Sequence, residues 1–149
     1  MPTKKRRTQP RNRRGAVRVQ FAVSRRGLPS AASFRKWSVG AAGVTLRIVG
    51  KREGLFLNQK YRGKSEPTNV LSFAYGGGTG DVVLCHPVIA REAKAQGKSL
   101  AAHYAHLVVH GILHLRGYDH ARRAERARME RREIALLARL GWRDPYAVE

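Results

Sequence analysis

Acidic residues are missing from the first third of the chain. Residues 1–52 contain no Asp or Glu but hold 15 of the 30 Lys and Arg, so three quarters of the net charge of +20 belongs to them. Such a field attracts polyanions through phosphate contacts that release counterions and weaken with salt. Nucleic acid is the expected partner; a solubilising tail, or the basic composition of a GC-rich genome, is the competing account of the charge. Cysteine is nearly absent. Cys85 stands alone in the apolar run Val82-Val83-Leu84-Cys85, which rules out a disulfide within the chain and fits a buried thiol in a reducing cytoplasm. No apolar run approaches the ~20 residues of a membrane span, and no secretory h-region opens the chain. The expectation is a cytoplasmic protein with neither a membrane nor a disulfide partner.

What the chain has is histidine at telling intervals, in His110-Gly111-Ile112-Leu113-His114-Leu115-Arg116-Gly117-Tyr118-Asp119-His120. On a helix, His110 and His114 project from one face, one turn apart. Gly117 permits the backbone conformation that ends a helix and lets the chain turn back, bringing His120 toward the same point. Three imidazoles with a fourth position open is the arrangement of a catalytic zinc, one ion per chain, whereas structural zinc is usually closed by four protein ligands. The spacing H-G-x-x-H-x-x-G-x-x-H is that of metzincin proteases, except that Gly111 replaces the Glu that serves those enzymes as general base. Either the base lies elsewhere or the chemistry needs none of that kind.

At 149 residues and 42% hydrophobic, the chain has the size of one domain. Residues 1–14, basic and with almost nothing to bury, read as a disordered tail, and the domain spans 15–149. Alternation at Val17, Val19, Phe21 and Val23 predicts a strand, and Ser30 opens a short helix running to about Val39. Val44 to Ile48 reads as a second strand, and Glu53 to Arg62 as a helix ended by Gly63. Thr68 to Phe73 and Asp81 to Cys85 read as strands joined by the glycine-rich connection Tyr75 to Gly80. Helices follow at 88–96, 100–116 and 121–140, each stopped by a glycine. In the last, Met129, Ile134, Leu137 and Leu140 point to the core, while Glu125, Glu130 and Glu133 interleave with arginines on a salt-bridged solvent face. Four strands and about five helices make a small α+β layer.

The segment His110 to His120 resembles the signature of the YbeY family, zinc-dependent single-strand endoribonucleases that act as ribosomal RNA maturation factors. A second block, Leu57 to Phe73 (LNQKYRGKSEPTNVLSF), resembles that family's other hallmark, and Gly80-Asp81-Val82-Val83-Leu84 and Gly141-Trp142-Arg143-Asp144-Pro145-Tyr146 match further. The resemblance covers roughly residues 44–146. It implies a mixed four-stranded sheet with the metal in a cleft, zinc on His110, His114 and His120, and Arg62 as the catalytic or substrate-binding arginine. Lys64, Asn69 and Ser72 in the same block are candidate substrate contacts. Processing of the small-subunit ribosomal RNA 3′ end and ribosome quality control are implied as the work. The small ribosomal subunit, ribosomal proteins and an assembly GTPase are implied as partners. A planar, permanently cationic guanidinium suits a scissile phosphate.

Departures from the family pattern are confined to a few places. Ala74 stands where the family commonly has Pro, Tyr75 to Thr79 replaces a longer acidic connection, and the basic tail lies outside the shared region. The tail reads as an RNA anchor, a nuclear-localisation look-alike or a transit peptide. Asp119 has two readings: a carboxylate that orients a ligating His or acts on the nucleophile, or one that bonds the backbone of the turn. His86, His103 and His106 are expected to be noncatalytic, with His106 a candidate cleft residue. The competing functions are a noncatalytic zinc-containing ribosome-assembly factor and a metalloprotease.

Overall fold

The computed structural model describes residues 16–147. In chain order the elements are β1 (Val17–Phe21), α1 (Ala31–Trp37), β2 (Val44–Val49), α2 (Lys51–Arg62) and β3 (Val70–Gly76). They continue with β4 (Thr79–Cys85), α3 (His86–Ala95), α4 (Leu100–Leu115) and α5 (Arg123–Arg139). The four strands form one sheet in the order β1-β2-β4-β3. Neighbours are parallel except β3, which runs antiparallel to β4 at the edge. The architecture is therefore the mixed α+β sheet with five helices that the sequence points to. The expected basic tail at 1–14 lies outside the described residues.

Side chains alternate across a sheet, and the register decides which ones meet. Val17, Val19 and Phe21 pair with Val44, Leu46 and Ile48, and the last three with Gly80, Val82 and Leu84. This face is the main core. Leu46, Ile48, Val82 and Leu84 are wholly buried, packed in one cluster with Phe34 of α1 and with Tyr104, Val108 and Ile112 of α4. The Phe34 ring meets Phe21, Trp37 and Tyr104 edge-on, at centroid distances of 5.9, 5.5 and 5.2 Å. The opposite face carries a smaller cluster, Val49, Leu71, Val83, Cys85 and Val88, against which Leu57 of α2 and Phe73 pack. Cys85 is a buried free thiol, and burial raises its pKa.

Several boundaries differ from the sequence reading: α1 ends at Trp37 rather than about Val39, α2 starts at Lys51 rather than Glu53, β3 at Val70 rather than Thr68 and α5 at Arg123 rather than 121. The glycine-rich run is not a loop: β3 and β4 extend through Gly76 and from Thr79, leaving Gly77-Gly78 as the turn, at φ +63° and +81°. Two successive left-handed residues are what a tight hairpin of this twist requires. Strand β1 stops at Phe21 rather than Val23, although the Ala22 N–H still donates to the Ile48 carbonyl at 2.8 Å. Helix α3 starts at His86, two residues early, because Pro87 in the first turn forfeits only an N–H that has no helical partner. Among the described residues, no helix is long and apolar enough to cross a membrane.

Candidate metal centre

Helix α4 starts at Ser99, whose hydroxyl accepts from the Ala102 N–H at 3.0 Å, and it runs buried through the core. Gly111 lets it lie close on the sheet: a Cβ there would stand 2.7 Å from Val82 Cγ1 and 3.3 Å from Ser72 Oγ. The neighbouring positions, His110 and His114, are thereby held in register beside the β3 edge, with ring centroids 4.7 Å apart. Gly117, at φ +95°, reverses the chain, its N–H donating to the His114 carbonyl at 3.0 Å and the Tyr118 N–H to that of Leu113 at 3.0 Å. After this reversal the His120 ring lies 4.9 Å from His114 and 5.5 Å from His110. The ligand nitrogens of the three lie within 4.8 Å of one another, a cluster that can hold a metal ion.

The donor chemistry fits such an ion. Burial, reinforced by the neighbouring His110 and His120, pushes the His114 imidazole down to about 4, so it is neutral, the ligand form, at neutral pH. Behind His110 lies Glu133 of α5, wholly buried. Its carboxylate accepts from His110 Nδ1 at 2.5 Å, from His106 Nε2 at 2.9 Å, and from the Tyr146 hydroxyl. Burial raises the Glu133 pKa, but these donors outweigh it and hold the carboxyl well below the usual carboxylate range. With Nδ1 of His110 bonded to Glu133, Nε2 is left for a metal, the arrangement by which carboxylates orient metal-binding imidazoles.

Glu133 is the residue that the sequence reading misplaced. It does not sit with Glu125 and Glu130 on a solvent face. Met129, Glu133, Leu136 and Leu137 form the buried stripe of α5, and Ile134 is only half-buried. The signal was present in the 4-3 spacing: a Glu on an apolar stripe must find donors inside the protein. Tyr146 was missed with it, because nothing local links it to a carboxylate 13 residues earlier.

The histidines open onto a cleft of about 690 Å³ whose lining also includes Arg62, Lys64, Asn69, Ser72 and Asp119. Arg62 comes from the last turn of α2, just before Gly63 at φ +67°. Both Arg62 and Lys64 are exposed. The amide of Asn69 donates to Glu92 Oε1 at 3.0 Å, and Glu92 also holds His103 Nε2 at 2.9 Å. Ser72 Oγ lies 3.4 Å from the Gly111 carbonyl. Asn58, not anticipated from the sequence, is nearly buried in the cleft wall and donates to the Glu66 carbonyl at 2.6 Å, tying down the loop that carries Lys64. Asp119 accepts from the His120 backbone N–H at 2.7 Å, which lowers its pKa and matches the turn-bonding reading. His106 does not line the cleft; it lies behind it, against Glu133 and the Tyr146 ring. His86 and His103 do not line it either.

A family profile described as Endoribonuclease YbeY matches residues 21–141. The chain belongs to the YbeY family. Among curated YbeY proteins, the Endoribonuclease YbeY of Nitrosomonas eutropha is 50% identical over 139 residues, covering 88% of this chain and 98% of that one. The Endoribonuclease YbeY of Xanthomonas axonopodis pv. citri is 51% identical over 151 aligned residues, covering 89% and 94%. In fold, this YbeY-family chain is similar to the solution structure of a Thermotoga maritima protein, with a TM-score of 0.55 at 23% identity over 89% of this chain and all of that one.

Proposed function

We propose that this chain is a zinc-dependent endoribonuclease that cuts single-stranded RNA. Its expected substrate is small-subunit ribosomal RNA, in 3′-end maturation and ribosome quality control. The observation that carries the reading is the cleft itself, where a three-histidine cluster shares one wall system with Arg62 and Lys64. His110, His114 and His120 would hold the ion, and zinc so bound supplies Lewis acidity toward a phosphoryl oxygen. Arg62 presents a planar fork that grips the scissile phosphate and offsets charge developing on its oxygens. Lys64 adds a point charge, and Asn69, fixed by Glu92, offers a polar contact that positions the ribose-phosphate backbone. Glu133 orients His110 from behind. The family's named activity, the net charge of +20 and the exposed cations Arg62 and Lys64 on the cleft all favour this assignment. The setting is the cytoplasm, with ribosomal proteins and an assembly GTPase as further partners.

A metalloprotease needs a carboxylate next to the first histidine. Here that position is Gly111, which lies against Val82 and Ser72 and does not line the cleft. The deciding experiment is cleavage of an end-labelled small-subunit ribosomal RNA precursor by zinc-loaded protein beside His114→Ala and Arg62→Ala proteins prepared identically. Cutting by the unaltered protein alone is the expected result. Equal cutting by all three, or RNA binding without cutting by any, would replace the nuclease with a noncatalytic assembly factor.

A further inference from the structure

Among the described residues, the large apolar side chains left exposed are Phe56 (57%), Tyr61 (54%), Tyr75 (68%) and Tyr146 (40%). Tyr146 is engaged by Glu133. Of the other three, Tyr61 and Tyr75 lie on the side of the β3 edge turned away from α4, and Phe56 stands further round α2, joined to Tyr61 through Lys60. Tyr61 packs edge-on against Phe73, with centroids 5.2 Å apart. Phe73 is the cross-strand partner of Asp81, whose carboxylate takes the Tyr75 hydroxyl, so Phe73 and Tyr75 share a face. Phe56 stands five residues before Tyr61 on α2, and Lys60 Nζ lies 5.6 Å from the Phe56 ring centre and 5.3 Å from that of Tyr61.

The placement of α2 joins this aromatic patch to the cleft. Tyr61 and Arg62 are consecutive, about 100° apart around the helix; Arg62 lines the cleft, while Tyr61 packs on Phe73 outside it. A chain leaving the cleft past Arg62 and around the unpaired edge of β3 meets these rings next. Bases stack on exposed rings whatever their sequence, and interleaved cations follow the phosphates; this combination is how nonspecific single-strand binders work. An acidic rim would favour a basic protein segment, but the cations here are Lys60, Arg62 and Lys64, which suit a polyanion.

We infer that Tyr61, Phe56 and Tyr75, with Lys60 among them, form a base-stacking platform for single-stranded RNA leaving the cleft around the β3 edge. The inference rests on the endoribonuclease reading and adds to it a second contact zone, outside the cleft, that recognises unpaired bases. The test is fluorescence anisotropy of full-length protein with a 12-nucleotide 2′-O-methyl oligonucleotide and with the same backbone carrying abasic positions. Cleavage of ordinary RNA is measured on the same preparations. Tyr61→Ala and Phe56→Ala are expected to weaken binding of the base-bearing oligomer roughly tenfold each. The loss should persist at raised salt, because stacking does not depend on counterion release. Tyr61→Trp should restore affinity, and the abasic oligomer should bind all these proteins alike. Phe56→Ala guards against a folding defect, since its ring is more than half exposed. If base-bearing and abasic oligomers bind equally and neither alanine variant matters while RNA is still cut, the platform is overturned and the patch becomes a protein contact. If the unaltered protein neither binds nor cuts RNA, the endoribonuclease reading falls with it.

Discussion

A Cβ at position 111 would stand 2.7 Å and 3.2 Å from the two Val82 methyls, and Val82 is wholly buried in a central strand. The histidine helix therefore touches the sheet with its backbone, and a side chain at this site has nowhere to go. Gly111→Glu, the change that would complete a protease motif, should instead cost more than about 3 kcal/mol, combining overpacking with a buried charge. Melting followed by circular dichroism would show it; a stably folded variant would refute the packing argument. Glu133→Gln should keep the shape of the buried network but remove the charge that orients His110. Zinc affinity is expected to fall by about 10- to 100-fold in competition with a chromogenic chelator, and an unchanged affinity would reduce Glu133 to a packing residue. At this scale the histidines were legible because their geometry is local: four residues along one helix, then a glycine turn. Glu133 was not, because its partners lie 23 and 27 residues back and its neighbours on α5 disguise it among arginines.

Helix α3 begins on His86, whose Nδ1 lies 2.8 Å from the Tyr104 hydroxyl and whose ring stacks on Tyr104 at an angle of 8°. Burial lowers the His86 pKa from its ordinary 6.5. The unfolded chain therefore takes up this proton first as pH falls. Stability from this contact is full above about pH 6.5 and declines below it, by up to ~1.4 kcal/mol per pH unit until the folded ring also titrates. His103, lowered by burial against the pull of Glu92, adds to the same decline. His86→Phe should keep the stacking, lose the hydrogen bond and so melt lower at neutral pH, yet lose less stability between pH 7 and pH 5. An equally steep loss would exclude His86 as a contributor. Element order and type were readable from period and glycine stops. The hairpin was not, because its strand ends are glycine-rich: Gly76 pairs with Thr79 across the turn, and Gly80 takes Val44 of the distant β2 as its partner. At Gly80 a Cβ would meet the Phe73 carbonyl oxygen at 2.1 Å, so the position admits only glycine and looks like loop in isolation.

The charge asymmetry belongs to the molecule as a whole. Residues 1–14 carry seven Lys and Arg and no acid, and each phosphate neutralised on single-stranded RNA contributes about 0.7 to the slope of log affinity against log salt. Removing residues 2–14 should flatten that slope by up to about 5 units if the segment engages RNA fully, while leaving the melting temperature of the zinc-loaded protein unchanged. An unchanged slope would make these cations a solubilising feature. Sheet order and strand direction were beyond what periodicity can say, since alternation marks a strand without naming its neighbour; the family resemblance implied only that the sheet is mixed and four-stranded.

The buried carboxylate that steadies His110 comes from α5, and its third donor, Tyr146, comes later still. A nascent chain that has emerged only as far as residue 120 already carries the complete imidazole set but nothing to orient it. Since a domain folds as a unit, the three imidazoles gain their buried carboxylate only when α5 is present to close the core behind α4.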